Sequence, residues 1–280
     1  MGSSKKGYTI LEVLIFIAVS SLMFISAITA IGGRQQQVQF AQGTKEFDSK
    51  IRDIINDVTT GYYPTNETVS CDVNSGEVEI INSKDQLIGT NSKCIYVGKV
   101  IQFQADGDDT LIRIYSMAGK RFSDDSSTPV STIDQARPKA VALPGEPTFI
   151  KPSEDYHIPY GLKVTRVIRP IGADFTDYGA VAILSSFGGA SLSESQSVTI
   201  GGIVGSEMGS VEAAALLAIN KLTDMSVSVD KPTGYLESNT AEGLVICLES
   251  QEGRKASLNF GVKNSSTTEL KIDDYNEGCE

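Results

Sequence analysis

A chain of 280 residues and 29.9 kDa is long enough for one sizeable core with appendages. Its 24 Lys and Arg against 35 Asp and Glu leave a formal charge of −11, the wrong sign for neutralising nucleic-acid phosphates or for adhering to anionic lipid. There is no Trp and a single His, which leaves little material for an acid–base or metal centre, while 26 Gly point to many turns.

The N-terminal stretch carries the strongest pattern. From Val13 to Gly33 no residue is charged, and VLIFIAVSSLMFISAITAIGG is long enough to cross a bilayer core as a helix. Lys5 and Lys6 precede it, so the short N-terminus is expected in the cytoplasm and the bulk outside. A cleaved secretory signal, with SAITA as its small-residue site, and a plain signal anchor both compete for this segment. Neither accounts for Glu12, since a carboxylate among apolar side chains costs roughly 2.5–3.5 kcal/mol unless something compensates it.

Basic pair, Gly, aromatic residue, acid and apolar run coincide in KKGYTILEVLIFIAVSSLMF, which resembles the class III leader of type IV pilins and pseudopilins. The resemblance implies cleavage by a prepilin peptidase between Gly7 and Tyr8, a basic leader containing Lys5 and Lys6, and N-methylation of Tyr8. It makes Glu12 the acid at the fifth mature position, which in the family pairs with the α-ammonium of a neighbouring subunit. An ammonium and a carboxylate attract far more strongly in hydrocarbon than in water, and one such pair can fix register. Tyr8 stands where the family usually has Phe, and Thr29 where Pro is common, so no kink is implied there. The implied partners are other pilin subunits, the prepilin peptidase, the inner membrane with its pilus assembly machinery, and an unknown surface receptor. No cofactor, enzymatic activity or direct nucleic-acid contact is implied.

Past Gly32 and Gly33 the pattern becomes amphipathic. Phe40, Phe47, Ile51, Ile54 and Val58 form one helical stripe, and the Gly61–Pro64 stretch ends it. One helix from Tyr8 to about Thr60 is therefore expected, with Gly32, Gly33 and Gly43 as weak points. Beyond it come short strand-like runs between turn residues: GEVEII, KCIYVGKVIQF, TLIRIYS, GLKVTRVIR, AVAILSSF, QSVTIGGIV, MSVSVD, GLVICLES, KASLNFGV and ELKIDD. Alternation in LKVTRVI and SVSVD predicts antiparallel sheets with one solvated face. A helix is expected in GSVEAAALLAINKLT, and residues 123–149, with Pro138, Pro144 and Pro147, read as a long loop. The fold class is thus α+β: a leader (1–7), a long helix whose first half spans a membrane (8–60), and a mostly antiparallel β-rich head (61–280) packed on its second half.

Four cysteines lack metal or redox spacing, and disulfides in an exported head are the better reading. Sequential pairing, Cys71 with Cys94 and Cys247 with Cys279, is expected among the three possible connectivities, each bridge contributing about 3–4 kcal/mol in the chain-entropy model. A C-terminal disulfide is also a looser point of resemblance to pilins. ADGDDT (Asp106, Asp108, Asp109) and KIDDYNEG (Asp273, Asp274) look like cation loops without matching EF-hand spacing; turns are the plainer reading, and Asp273 with Asp274 are the weak calcium candidates. GGIVGSEMGS lacks the phosphate-binding lysine and reads as a strand-to-helix turn. His157 has no evident partner, and Ser185, Ser186 and Ser191 lack a nucleophile elbow. The function expected is a structural subunit of a type IV pilus or type II-secretion-like filament; the alternative is an adhesin or binding module anchored permanently in the membrane.

Overall fold

The computed structural model describes residues 8–61, 69–72, 79–82, 94–122, 128–140, 153–171, 174–185, 198–219, 236–238, 243–262, 266–273 and 277–279. Helix α1 runs Ile10–Thr60 without a break, and the strands that follow pair antiparallel throughout. Together these make an α+β protein. The chain divides into two compact units, Met1–Gln42 and Gly43–Glu280, so the boundary falls inside α1 and not at its end.

In the larger unit β1 (Val69–Asp72) and β2 (Glu79–Asn82) form a ribbon. The main sheet is centred on β3 (Cys94–Phe103) and β4 (Leu111–Lys120). Beside β4 lie β5 (Lys139–Ala140) and β6 (Ser153–His157), which share its other edge. On the β3 side follow β9 (Ala180–Ser185), β10 (Val198–Ile203) and β11 (Leu236–Ser238). A second sheet has the order β14 (Thr268–Ile272), β13 (Lys255–Phe260), β12 (Leu244–Glu249), β7 (Lys163–Ile171), β8 (Asp174–Asp177).

Register assigns the faces of the main sheet. Val100 lies opposite Tyr115 and Ala182, and these join Met117, Leu184, Ala215 and Ile219 in one buried cluster, so helix α3 (Glu212–Ile219) lies over that face. Lys99, one residue along and therefore on the other face, reaches Asp57 of α1. Both faces of β4 are thus covered, which explains why all ten of its residues are buried without the alternation expected of a half-solvated strand. In β7 the expected alternation is interrupted: Val164, Val167 and Ile168 are buried while Lys163, Thr165, Arg166 and Arg169 are half-buried, and the register against β12 shifts between Val164 and Arg166.

Several expectations need correction. Gly43 has a packing reason, and the helix runs through it unbroken. A Cβ there would sit 3.3 Å from the Pro159 carbonyl oxygen and 3.4 Å from the Tyr160 ring, so Gly is what lets the 159–161 turn lie against α1. Residues 123–149 are not one loop, because a helical turn, α2 (Ile133–Ala136), capped by Thr132, precedes β5. Strands β1, β5, β6, β8 and β11 are too short or too polar to show as apolar runs. The MSVSVD run lies outside the described residues.

Candidate assembly site

The smaller unit presents an apolar surface that none of the described residues covers. Ile10–Ala27 is long and apolar enough to cross a membrane, and every residue in it is exposed. At 1.5 Å per residue these 18 residues span about 27 Å, close to a bilayer's hydrocarbon thickness. Phe16 is 73% and Leu22 73% exposed, on an element apolar all round. Such a helix needs lipid or other protein as its second solvent.

Tyr8, 85% exposed, lies just outside the helix, and Glu12 sits in its first turn. The Thr9 N–H donates to Glu12 Oε2 at 3.1 Å, and the Thr9 hydroxyl donates to the same oxygen at 3.2 Å. In return the Glu12 N–H donates to Thr9 Oγ1 at 3.3 Å. This reciprocal pair is a capping box: Thr9 serves as N-cap, and Glu12, three residues on, satisfies an amide that the helix cannot. Thr9-Ile10-Leu11-Glu12 carries the Thr-x-x-Glu signature, a local signal that stands beside the stronger one of the apolar run. A carboxylate at this position also faces the positive end of the helix dipole. Lys5, Lys6 and Gly7 lie outside the described residues.

In the larger unit the residues of α1 beyond Gly43 behave differently. Phe47, Ile51, Ile54, Ile55 and Val58 are buried. Around that stripe Lys50 pairs with Glu154, Lys99 with Asp57, and Arg52 donates to the backbone oxygen of Thr268 at 3.3 Å.

The C-terminus is held three ways. Cys247 and Cys279 are disulfide-bonded, with Cα atoms 5.5 Å apart. Arg166 Nη1 donates to the Gly278 oxygen at 2.7 Å, and a Cβ on Gly278 would strike Ile168 and Phe175. Arg166 also grips Asp177 through two bonds of 2.9 Å, and this contact, ahead of the opposing effect of burial, raises the guanidinium pKa further. The side chains of Cys71 and Cys94 lie outside the described residues.

The acidic segments find protein partners. Asp106 Oδ2 accepts from Arg113 at 2.9 Å, Asp108 Oδ1 accepts from the Thr110 amide at 2.9 Å and its hydroxyl at 2.7 Å, and Asp109 lies 3.9 Å from Lys163. The Thr110 hydroxyl, then its amide, lowers the Asp108 carboxyl pKa. Asp273 sits 3.5 Å from Arg254, and Asp274 lies outside the described residues. Among the described residues no three His, Cys, Asp or Glu gather as a metal site. His157 is exposed, 4.0 Å from Asp108. The GGIVGSEMGS segment ends β10 and continues as a turn fixed by Ser206, whose hydroxyl accepts the Gly179 and Ala180 amides at 3.1 and 2.9 Å. Ser185 donates to the Val97 oxygen at 3.1 Å; Ser186 and Ser191 are not described.

Buried charge was not legible beforehand. Arg113, 3% exposed, is clamped by Asp155 through bonds of 2.6 and 3.2 Å; this contact first, with Asp106 adding to it, raises its pKa despite burial. Neighbouring Tyr115 donates to Gln102 Oε1 at 2.8 Å, and Gln102 donates to the Ser210 oxygen at 2.7 Å; burial pushes the Tyr115 phenol up. The arrangement ties the β3–β4 turn and the approach to α3 together.

No protein-family model matches the chain, and neither a curated protein nor a solved structure does.

Proposed function

We propose that this chain is a filament subunit of the type IV pilin or pseudopilin kind, made as a membrane-anchored precursor and cut between Gly7 and Tyr8. The observation that carries the reading is the uncovered apolar helix Ile10–Ala27 with one carboxylate, Glu12, in its first turn. Before assembly lipid covers that helix; in the filament, apolar helices of neighbouring copies cover it. Each Glu12 then meets the ammonium that proteolysis creates at a neighbour's Tyr8. The first half of α1 spans the membrane or lies in the filament core, and the second half packs on the sheets of an extracellular head. A head extending over 61–280 is long, and we read the subunit as a minor pilin supporting adhesion, motility or DNA uptake.

The capping box favours a second reading, because it gives Glu12 a purpose with no neighbour present: a permanent anchor for an extracellular adhesin or binding module. Mass spectrometry of the purified protein separates the two. A chain beginning at methylated Tyr8 supports the filament subunit, and one retaining Met1 or beginning near residue 30 supports the anchor or a cleaved signal. Gly7→Val should leave the leader attached, visible as lower gel mobility.

A further inference from the structure

We propose that one ridge of the smaller unit is a self-complementary seam, on which the same helix of a second copy packs in parallel. The inference rests on the membrane placement that both readings above share, and not on the filament. It starts from Val38. Among residues 34–39, all of them exposed, Val38 is the one apolar side chain, at 63% exposure. A single exposed Val is ordinary, but the register of this one is not. Counting back by sevens meets Ile31 in the sequence, then Phe24 and Ile17, both exposed. Ser21 and Gln35, also exposed, fall between them at steps of three and four. A line repeating every seven residues stays in contact only with another of the same repeat, the helices crossing left-handed at about 20°. A second copy carries that repeat by construction.

Lipid can cover part of this ridge but not all of it. Val38 lies about 16 Å along the helix beyond Ala27, and the charge of Arg34, which hydrocarbon does not accommodate, stands before it. Within the bilayer the polar members also ask for protein. The Ser26 hydroxyl is satisfied by its own helix, donating to the Met23 oxygen at 2.8 Å, whereas the Ser21 hydroxyl has no partner among the described residues. In hydrocarbon that hydroxyl gains a bond by meeting its counterpart on another helix. Every copy inserts in the same sense, so the pair is parallel and each ridge residue faces its own counterpart. Such a contact tolerates no like charge. Over residues 13–42 the sole charge, Arg34, lies beside the ridge and not on it.

The test uses the full chain in its own membrane, after any surface filaments are sheared away. Val38→Cys and Gln35→Cys sit on the ridge, Gln36→Cys and Gln37→Cys off it, and each variant is oxidised with copper phenanthroline. Dimer bands above the wild-type background should be about fivefold stronger on the ridge, because only facing positions of a parallel pair come within disulfide reach. Crosslinking at Val38→Cys should persist when Glu12→Ala is added, since the seam does not need the filament. The second measurement is sedimentation equilibrium of the full chain in detergent micelles. Val38→Lys sets two ammonium groups against each other and should raise the dimer dissociation constant about tenfold, while Gln37→Lys should stay within about twofold of wild type. Equal bands at all four positions, bands led by Gln36→Cys or Gln37→Cys, or pairing lost with Glu12→Ala would each overturn the seam. So would a wild type that stays monomeric, or equal effects of the two Lys variants; the membrane placement would still stand. A protein absent from the membrane fraction would remove both.

Discussion

One helix is built for two surroundings. Over Ile10–Ala27 apolar side chains point in every direction and all are exposed, whereas from Gly43 to Thr60 they keep to one stripe that is buried. The later stretch carries Asp48, Lys50, Arg52, Asp53 and Asp57 around that stripe, and several pair with residues of the sheets or with each other. The earlier one carries a single charge, satisfied within its own first turn. The lesson concerns where the cover comes from. A one-sided helix finds its partner within its own chain, and an apolar helix without a polar side must find it in lipid or in other chains. The functional reading rests on that difference.

The comparison breaks most visibly at Glu12. Replacing Glu12 with Ala should leave the membrane content of the protein unchanged while nearly abolishing its presence in sheared filaments, measured by immunoblotting both fractions. Wild-type incorporation would mean that the lone carboxylate serves only its own helix.

The next effects belong to the buried stretch. Phe47 is 0% exposed, and Phe47→Ala should destabilise the head by about 3–5 kcal/mol in urea unfolding, through lost burial plus the cavity left behind. Membrane insertion should not change, because the first stretch makes no use of Phe47. A loss below about 1 kcal/mol would show that the stripe is not core. Cys279→Ser opens a loop with a sequence separation of 32 residues and should lower stability by about 3–4 kcal/mol. Arg166 and the packing around Gly278 remain to hold part of the C-terminus, so the measured loss should not exceed that figure.

Periodicity was enough to place most of this in advance. The helix and its buried stripe, the long strands β3, β4, β7, β9, β10, β12 and β13, and the Cys247–Cys279 pair follow from signals that repeat or stand out in composition. Strands such as β8, with the sequence DFTD, did not show, because their place is set by a neighbour's edge and not by their own hydrophobicity. Arg113 illustrates the harder limit. Its burial depends on Asp106, seven residues away, and Asp155, forty-two away, converging from separate elements, and no local pattern encodes that meeting. Thr9 is the opposite case, a local motif in plain sight beside a louder one.

The smallest effect sharpens the comparison at the surface where α1 meets β6. Tyr156 lies under Lys50, whose ammonium is 5.4 Å from the ring centre, and the phenol oxygen is buried without a hydrogen-bond partner among the described residues. Burial first, then the Glu46 and Glu154 carboxylates, push the phenol up to about 12. An unfolded Tyr ionises near about 10, so between those values the unfolded chain sheds a proton that the folded one keeps. Stability from this group is therefore complete below about pH 10 and decays as the pH rises through about 12. Tyr156→Phe has no phenol to ionise. It should match wild type within about 1 kcal/mol at pH 8 and lose less stability than wild type at pH 11, compared by urea midpoints of the full chain in detergent micelles. Equal losses in both proteins would mean that water reaches the phenol, and that the second stretch of the helix is less closely covered than its apolar stripe implies.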